Sequence, residues 1–285
     1  MSGGPKERIG QIIGDRFRID AFIGKGSMAD VYRALDLTTS AFVALKILRR
    51  QIDDGAGLQR FAREGEVQAR LRHRNVAALL ATGVTANDEP YLVVELLRGK
   101  TLRGALKAEG RVTPRRAASY AWQALQGLSA VHAQGILHRD LKPANIMLEP
   151  SPGPVERVVL IDFGFATFEG SAKLTQQGTV VGSLTYIAPE RLRGEPPDPR
   201  SDLYAIGVIA YELLAGAPPF TGGDDFDLIE MHLNAPPPSL RLIDPTIPAD
   251  LDAILARSLA KHQDERFPDA ATMANAIEAA ARSIP

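Results

Sequence analysis

Four polar side chains in the middle of the sequence could do chemistry together. Asp140, Lys142 and Asn145 lie within six residues of one another in ILHRDLKPANIMLE, and Asp162 follows an apolar run in VVLIDFGFA. Carboxylate and amide oxygens are ligands that a hard divalent cation prefers, and a lysine supplies positive charge. Taken singly, each aspartate is more simply a helix cap or a turn residue. Only their occurrence together therefore points to a site.

A glycine-containing segment, FIGKGSMADVY from Phe22 to Tyr32, is similar to a phosphate-binding loop. Gly24 and Gly26 fit G-x-G-x-x-G, but Ala29 stands at the third position, and for this segment alone a turn between strands is the simpler interpretation. A dinucleotide-binding loop would open a helix and meet an acidic residue about 20 positions later. Here a strand-like DVYRALD follows, and the residue 20 positions after Gly26 is Lys46. This order favours a loop that lies over a nucleoside triphosphate.

Lys46 lies in FVALKIL, which the alternation of a strand divides into two apolar faces. A lysine at the solvent end of a strand would be ordinary, but an ammonium on an apolar face requires a partner. We predict a helix from about Leu58 to Leu71, in which a rotation of about 100° per residue puts Glu64 on the inward face with Phe61. Glu66 falls on the opposite face. We therefore expect Glu64 to pair with Lys46.

Three further segments follow in the chain, namely GSLTYIAPE from Gly182 to Glu190, SDLYAIGVIAYELLAG from Ser201 to Gly216, and DERF from Asp264 to Phe267. Together with the segments around Asp140 and Asp162, they make the chain resemble a eukaryotic-like Ser/Thr protein kinase of the bacterial type. The resemblance covers about residues 14 to 280. It implies an α+β, bilobal protein-kinase fold with a small β-rich N-lobe, a larger α-helical C-lobe and an ATP cleft between them.

The resemblance assigns a role to each polar residue of these motifs. The implied catalytic residues are Asp140, Lys142, Lys46 and Glu64, and the implied metal ligands are Asn145 and Asp162. Asp140 accepts or orients the proton of the substrate hydroxyl, and Lys142 neutralises the γ-phosphate of ATP. The metal ligands hold two Mg²⁺ ions, with Mn²⁺ able to substitute. Because phosphoryl transfer needs much positioning of negative charge and little covalent help, cations account for most of the expected catalysis.

The same resemblance implies a nucleotide site made of a phosphate-binding loop and apolar walls around adenine. Its residues are Ile23, Gly24, Lys25, Gly26, Ser27, Val31, Ala44, Lys46, Val94, Glu95, Leu97 and Met147. Val94 is at the gatekeeper position, and the Glu95 carbonyl and Leu97 amide are expected to hydrogen-bond to the base edge. For each apolar residue the alternative is ordinary core packing. The methyl group of Ala29 lies at the loop position farthest from the phosphates, so we expect ATP to bind.

The segment between Asp162 and Glu190 is expected to be an activation segment that the enzyme phosphorylates on Thr175 and Thr179. In related kinases the arginine that corresponds to Arg139 binds a phosphorylated residue of this segment. Thr167 stands where family members often carry a basic residue. This departure weakens the expected phosphate pocket.

Three further residues of these motifs are expected to be structural rather than chemical. Glu190 should pair with Arg266, and Asp202 should hold the catalytic loop from below.

The predicted organisation is an N-terminal extension (1–13), a kinase domain (14–280, with lobes of about 14–95 and 98–280) and a C-terminal tail (281–285).

The amino-acid composition is that of a globular protein and excludes few functions. With 33 Lys+Arg and 34 Asp+Glu the formal net charge is −1, which does not indicate binding to nucleic acid or to an anionic membrane. The most apolar segment, LYAIGVIAYELLAG, contains Glu212 and is shorter than the roughly 20 residues of a membrane span, so we predict a buried helix. The sequence contains no cysteine, which fits a reducing compartment. We expect a cytoplasmic protein, or the cytoplasmic portion of a larger one.

The leading hypothesis is an active kinase with ATP and protein Ser/Thr hydroxyls as its partners, and autophosphorylation would be compatible with a homodimer. A pseudokinase that serves as a binding scaffold is disfavoured because the full set of catalytic residues is present. A small-molecule phosphotransferase is not expected to carry GSLTYIAPE or Arg266.

Overall fold

The computed structural model describes residues 5–25, 29–48, 71–153, 155–162 and 184–284. The chain divides into two compact units, Met1–Arg98 and Gly99–Pro285. Most of the helix predicted for about residues 58–71 lies outside the described residues. Its last residue, Leu71, is buried and belongs to no helix.

The first unit is built on an antiparallel sheet preceded by a 3-10 turn, Pro5–Arg8. Its strands are β1 (Ile12–Ile13), β2 (Phe17–Lys25), β3 (Ala29–Asp36), β4 (Phe42–Leu48), β5 (Leu79–Val84) and β6 (Pro90–Glu95). In space they follow the order β1-β2-β3-β4-β6-β5. β4 has the bounds of the predicted apolar run, whereas β6 ends at Glu95, before the last two leucines of PYLVVELL.

One face of this sheet carries the hydrophobic core of the first unit. The core residues are Ile13, Phe17, Ile19, Tyr32, Ala34, Val43, Leu45, Ile47, Tyr91 and Val93. On β4 these are every second residue, so the alternation of the strand sends Ala44 and Lys46 to the other face. The sequence prediction of two distinct faces for β4 is therefore confirmed.

The second unit combines a small sheet, of order β7-β8-β9, with helices. The strands are β7 (Lys100–Thr101), β8 (Ile146–Glu149) and β9 (Arg157–Leu160). The described helices are α1 (Leu102–Glu109), α2 (Pro114–His132), α3 (Pro189–Leu192), α4 (Pro199–Ala215), α5 (Asp225–Asn234), α6 (Leu240–Ile243), α7 (Ala249–Ser258) and α8 (Ala270–Ala281). None of these described helices is both long and apolar enough to cross a membrane.

Local capping signals set the start of α2 and both ends of α4, which are the two longest of the described helices. The Thr113 side chain accepts a hydrogen bond from the Arg116 amide at the start of α2, with proline at the first helical position as predicted. That helix ends at His132, three residues before the predicted stop at Gly135. α4 begins at a capping box formed by Asp198 and ends at Gly216, whose φ of 81° is left-handed. From Ser201 to Leu214 every residue of α4 is buried, as its apolar sequence predicted.

A buried ion pair joins α3 to the segment before α8. Arg266 Nη1 and Nη2 donate to the two carboxylate oxygens of Glu190 at 2.9 and 2.8 Å, and both side chains are almost fully buried. The Ser201 hydroxyl donates to the same carboxylate at 2.6 Å. Burial alone would raise the pKa of Glu190, but the hydrogen bonds and charge of Arg266 lower it. The expected pairing is thus present, and it holds the position of α3.

We predict that Glu190→Gln lowers the free energy of unfolding of the second unit by about 3–5 kcal/mol, because Arg266 would remain buried without its counter-ion. The one tryptophan of the sequence, Trp122, lies on α2 and makes urea unfolding of this unit measurable by fluorescence. Asp264→Asn is the control: Asp264 pairs with Arg200 at 2.6 Å, but its side chain is 92% exposed. It should cost less than about 1 kcal/mol. Equal losses in the two variants would contradict the prediction.

Candidate functional site

The predicted nucleotide-binding residues of the first unit share one face of its sheet. Val31 lies opposite Lys46, and Ala44 lies opposite Val94, on neighbouring antiparallel strands. Directly opposed residues of an antiparallel pair point to the same face, and Ala44 and Lys46 are two apart on β4. Gly24 lies opposite Val31 and extends this face to β2. The face is the one that the hydrophobic core does not occupy.

Lys46 is the charged member of this face. Two side chains flank Lys46 on this face: Ala44 on the same strand and Leu92, which lies opposite Lys46 on β6. Both are buried. Burial lowers the pKa of the Lys46 ammonium to about 8. An amine that is partly stripped of water and lies on a sheet face is suited to bind an anion that replaces the lost hydration.

The other predicted residues of the first unit lie near or just beyond the ends of strands β2 and β6. Ile23 and Lys25 are on β2, with Ile23 53% exposed; Glu95 is the last residue of β6, and Leu97 follows outside the strand. Gly26, Ser27 and Glu64 lie outside the described residues, so the predicted pairing of Lys46 with Glu64 stays a prediction.

In the second unit, the buried carboxylate of Asp202 anchors the loop between α2 and β8. Its two oxygens accept hydrogen bonds from the His138 amide at 2.9 Å and the Arg139 amide at 3.0 Å. His132 Nε2 donates to it at 2.8 Å. Burial alone would raise the pKa of Asp202, but the hydrogen bond and charge of His132 lower it. The expectation that Asp202 holds the catalytic loop agrees with these contacts.

The loop is also fixed at His138 and Arg139. Burial lowers the pKa of His138, whose Nε2 donates to the carbonyl of Ile161 at 3.1 Å. Arg139 has a φ of 65°, in the left-handed region that costs a branched or long side chain about 1–3 kcal/mol. Such a conformation persists only where neighbouring contacts determine it. The Asp140 amide then donates to the His138 carbonyl at 2.9 Å, which closes a tight turn.

This turn brings three of the four predicted polar residues together. Lys142 Nζ donates to both oxygens of the Asp140 carboxylate, at 3.0 and 2.8 Å. Asn145 Nδ2 donates to the Asp140 carbonyl at 2.8 Å and to its Oδ2 at 2.9 Å. The Asp140 side chain is nevertheless 39% exposed. It is thus a carboxylate of fixed orientation that an incoming hydroxyl group can reach.

Asp162 and Asn145 lie at the same end of the β8–β9 hairpin. Asn145 immediately precedes β8, and the Ile161 amide, one residue before Asp162, donates to the Asn145 carbonyl at 3.0 Å. Asp162 is exposed and has a left-handed φ of 55°. A carboxylate and a side-chain amide near each other at a hairpin end form an oxygen donor set, which fits a hard divalent cation. Met147, the predicted adenine contact of this unit, lies on β8 between the buried Ile146 and Leu148.

Two groups of residues in the second unit escaped the sequence analysis. Arg191, next to Glu190, donates from Nη1 to the Arg139 carbonyl at 2.6 Å, and its sequence neighbourhood contains no signal for this contact. Glu212 accepts from Arg103 at 2.9 Å and from the Tyr186 hydroxyl at 2.7 Å. A glutamate within the apolar run of α4 was the signal for this second group.

Comparisons with known proteins identify the family of the chain. The sequence profile of the family described as "Protein kinase domain" matches residues 17–275. A protein of Corynebacterium glutamicum called "Probable serine/threonine-protein kinase PknB" is 37% identical over 290 residues, which cover 95% of this chain and 44% of that protein. "Serine/threonine-protein kinase PknB" of Mycobacterium tuberculosis is 38% identical over 269 residues, covering 92% of this chain and 42% of that protein. The chain thus spans less than half the length of these relatives.

Solved structures show the same likeness. The kinase domain of Mycobacterium tuberculosis PknI superposes with a TM-score of 0.76 at 26% identity, covering 96% of this chain and 98% of that one. A structure of Rad53 residues 1–466 in complex with AMP-PNP has a TM-score of 0.77 at 28% identity, covering 91% of this chain and 64% of that one. From the profile match, the relatives and the fold together, the chain belongs to the protein kinase family, in the eukaryotic-like serine/threonine group that occurs in bacteria.

Proposed function

We propose that the chain is an active protein kinase domain that transfers the γ-phosphate of ATP to Ser and Thr hydroxyl groups of proteins. The observation that carries the proposal is the Asp140 cluster, in which an accessible carboxylate is held by Lys142 and Asn145 on a loop anchored to Asp202. Relatives named serine/threonine-protein kinases support the acceptor class. A pseudokinase would have no need to maintain this cluster.

In the proposed mechanism, Asp140 orients the substrate hydroxyl and accepts its proton as the oxygen attacks the γ-phosphorus, the bond from that phosphorus to the β–γ bridging oxygen breaks, and ADP leaves. Lys142 contacts Asp140, so the ammonium of Lys142 lies close enough to the acceptor position to neutralise the charge of the transferred phosphoryl group. Both functions need fixed orientation more than covalent chemistry. The loop anchored by Asp202 supplies that orientation.

ATP would contact the face of the first unit that carries Val31, Ala44, Lys46 and Val94. The apolar side chains suit an adenine ring, and the ammonium of Lys46 suits phosphate oxygens. The AMP-PNP bound to Rad53, whose fold this chain shares, supports ATP as the nucleotide. Ala29, which replaces the third loop glycine, is on β3 and is partly buried.

Protein kinases in general use a divalent cation together with ATP. We assign Asn145 and Asp162 as the residues that would hold it, and Mg²⁺ as the ion, with Mn²⁺ as a substitute. When bound, the ion would neutralise phosphate charge. The oxygen donor set supports this choice because Mg²⁺ prefers oxygen ligands.

Thr175 and Thr179 remain the proposed autophosphorylation sites, although both lie outside the described residues, as does Thr167. Arg139, which immediately precedes Asp140, is the described residue that would bind the phosphate group of the modified threonine. A phosphate carries a charge of about −1.5 to −2 and accepts charge-assisted hydrogen bonds. Autophosphorylation between two copies of the chain would require at least a transient homodimer.

Lys46→Met should reduce phosphoryl transfer to protein by about a hundredfold or more, which is about 3 kcal/mol of transition-state stabilisation. The new side chain is apolar and of similar length, so we expect the fold to persist. Transfer of label from γ-labelled ATP to a basic protein measures the effect. A panel of small metabolites, offered as alternative acceptors, tests whether the phosphate goes to protein. Lys107→Met, at an exposed position of α1, is the control. Wild-type transfer by Lys46→Met would end the assignment of Lys46.

Asp162→Asn should abolish turnover that depends on Mg²⁺ while nucleotide binding partly survives, since the adenine contacts are separate from the metal ligands. Asparagine tolerates the left-handed conformation of this position as aspartate does. Asp88→Asn is a matched control, because Asp88 is also exposed and left-handed, with a φ of 59°. Turnover across a Mg²⁺ titration and binding of a fluorescent nucleotide separate the two effects. Undiminished activity would place the metal site elsewhere.

Mass spectrometry of the wild-type chain expressed alone should find phosphate between Asp162 and Glu190, on Thr175 or Thr179, and Lys46→Met expressed in the same way should lack it. The reason is that the modification depends on the activity of the chain itself. A wild-type chain that stays unmodified there after incubation with Mg-ATP, while it phosphorylates other proteins at full rate, would refute these sites.

A further inference from the structure

The side chain of Arg191 connects α3 to the loop that carries Asp140. Its Nη1 donates to the carbonyl oxygen of Arg139 at 2.6 Å. That carbonyl belongs to the peptide bond between Arg139 and Asp140, and a peptide bond is planar. The orientation of the carbonyl therefore also sets the orientation of the Asp140 amide, which donates to the His138 carbonyl at 2.9 Å.

The contact holds a backbone conformation that Arg139 would not adopt by itself. Its φ is 65°, and only glycine, asparagine and aspartate visit this region readily. The amide of Arg139 is held by Asp202 at 3.0 Å, and its carbonyl is held by Arg191. The left-handed residue is thus clamped at both of its backbone groups, one from α4 and one from α3.

Arg191 makes this contact as a cation with no carboxylate oxygen within salt-bridge distance, as far as the described residues show. Burial lowers the pKa of its guanidinium, and the charges of Asp202 and Asp140 oppose this effect. Arg191 is partly buried, and an arginine stays protonated, so the chain bears part of the desolvation of a full charge at this position. Its backbone is fixed by the neighbouring Glu190, which Arg266 grips with two hydrogen bonds. Such a costly and rigid placement indicates a positioning role.

We propose that Arg191 is a positioning residue for phosphoryl transfer, which holds the Arg139 carbonyl so that Asp140 keeps the orientation needed to receive the substrate hydroxyl. The inference rests on the proposed kinase activity. It concerns the turnover step rather than ATP binding, because Arg191 contacts the loop that carries Asp140, and the sheet face assigned to the nucleotide belongs to the first unit. Substitution should therefore lower kcat and leave the KM for ATP nearly unchanged.

The test compares wild type with Arg191→Met and Arg191→Lys, using myelin basic protein as acceptor. Arg191→Met should lower kcat by about tenfold to a hundredfold, with the KM for ATP within about twofold of wild type. Arg191→Lys retains a charged donor that can approach the carbonyl, so it should recover most of the lost kcat. Arg193→Met, two residues along and exposed, should behave as wild type. Intact mass confirms equal phosphorylation before assay, and thermal unfolding confirms folding; if Arg191→Met does not fold, Arg191→Ala, which also removes the donor, replaces it with the same expectation.

The outcomes separate the inference from the proposed function. The inference is overturned if Arg191→Met keeps a kcat within about twofold of wild type, if it changes only KM, or if Arg191→Lys loses as much kcat as Arg191→Met. In each of these cases wild-type turnover still supports the kinase assignment. A folded wild-type chain that transfers phosphate to no protein acceptor refutes the proposed function, and the inference falls with it.

Discussion

The candidate site of the second unit depends on one buried carboxylate. Asp202 lies on α4, whose residues around it are buried, and it accepts hydrogen bonds from two consecutive amides of the loop and from His132. A buried carboxylate that lost these donors would be strongly destabilising, so the loop cannot leave α4 at little cost. The same contacts fix the left-handed Arg139, and the turn that follows presents Asp140. A structural interaction in the helical core thereby sets the direction of the proposed catalytic group.

A second buried charge centre lies close to the first in the chain and supports it. Glu190 and Arg266 satisfy one another, while Arg266 also donates to the carbonyls of Ala260 and Arg200 and lies over the ring of Tyr204 at 4.8 Å. The pair links α3 and α4 to the segment that precedes α8. Arg191 extends from this fixed point to the Arg139 carbonyl. Two buried ionic centres therefore hold the loop from two helices, which explains how a left-handed arginine persists there.

In the first unit a sheet, rather than buried ionic contacts between helices, fixes the position of the charged group. Its sheet uses one face for the hydrophobic core and leaves Lys46 on the other face, next to apolar neighbours. The lowered pKa of Lys46 reflects that environment. Burying a charge opposes stability, and strongly shifted pKa values occur at functional sites as well as in structural ion pairs.

Several features followed from the sequence because the signals for them are local. The alternation of FVALKIL predicted β4 and its two faces, the Thr113-Pro114 pair predicted the start of α2, and the apolar run after Ser201 predicted a buried helix. The catalytic motif predicted the cluster of Asp140, Lys142 and Asn145 because all three lie within one short loop. Such local signals did not fix the end of β6. Two leucines follow Glu95 in the apolar run, but the strand and its pairing end at Glu95.

The tertiary structure alone decided the contacts between distant segments. Arg191 meets Arg139 across 52 residues and Arg103 meets Glu212 across 109, whereas the contact of Asp202 with the loop, 64 residues from His138, was expected from the family resemblance. A periodic pattern states which face of an element is buried, but it carries no information about which donor will approach a given carbonyl. The left-handed conformation of Arg139 was equally invisible, since arginine has no preference for that region. The sequence by itself thus determined the family, several of the elements and the residues of the motifs, whereas long-range hydrogen bonds, which depend on the packing of whole helices, decided how those residues are held.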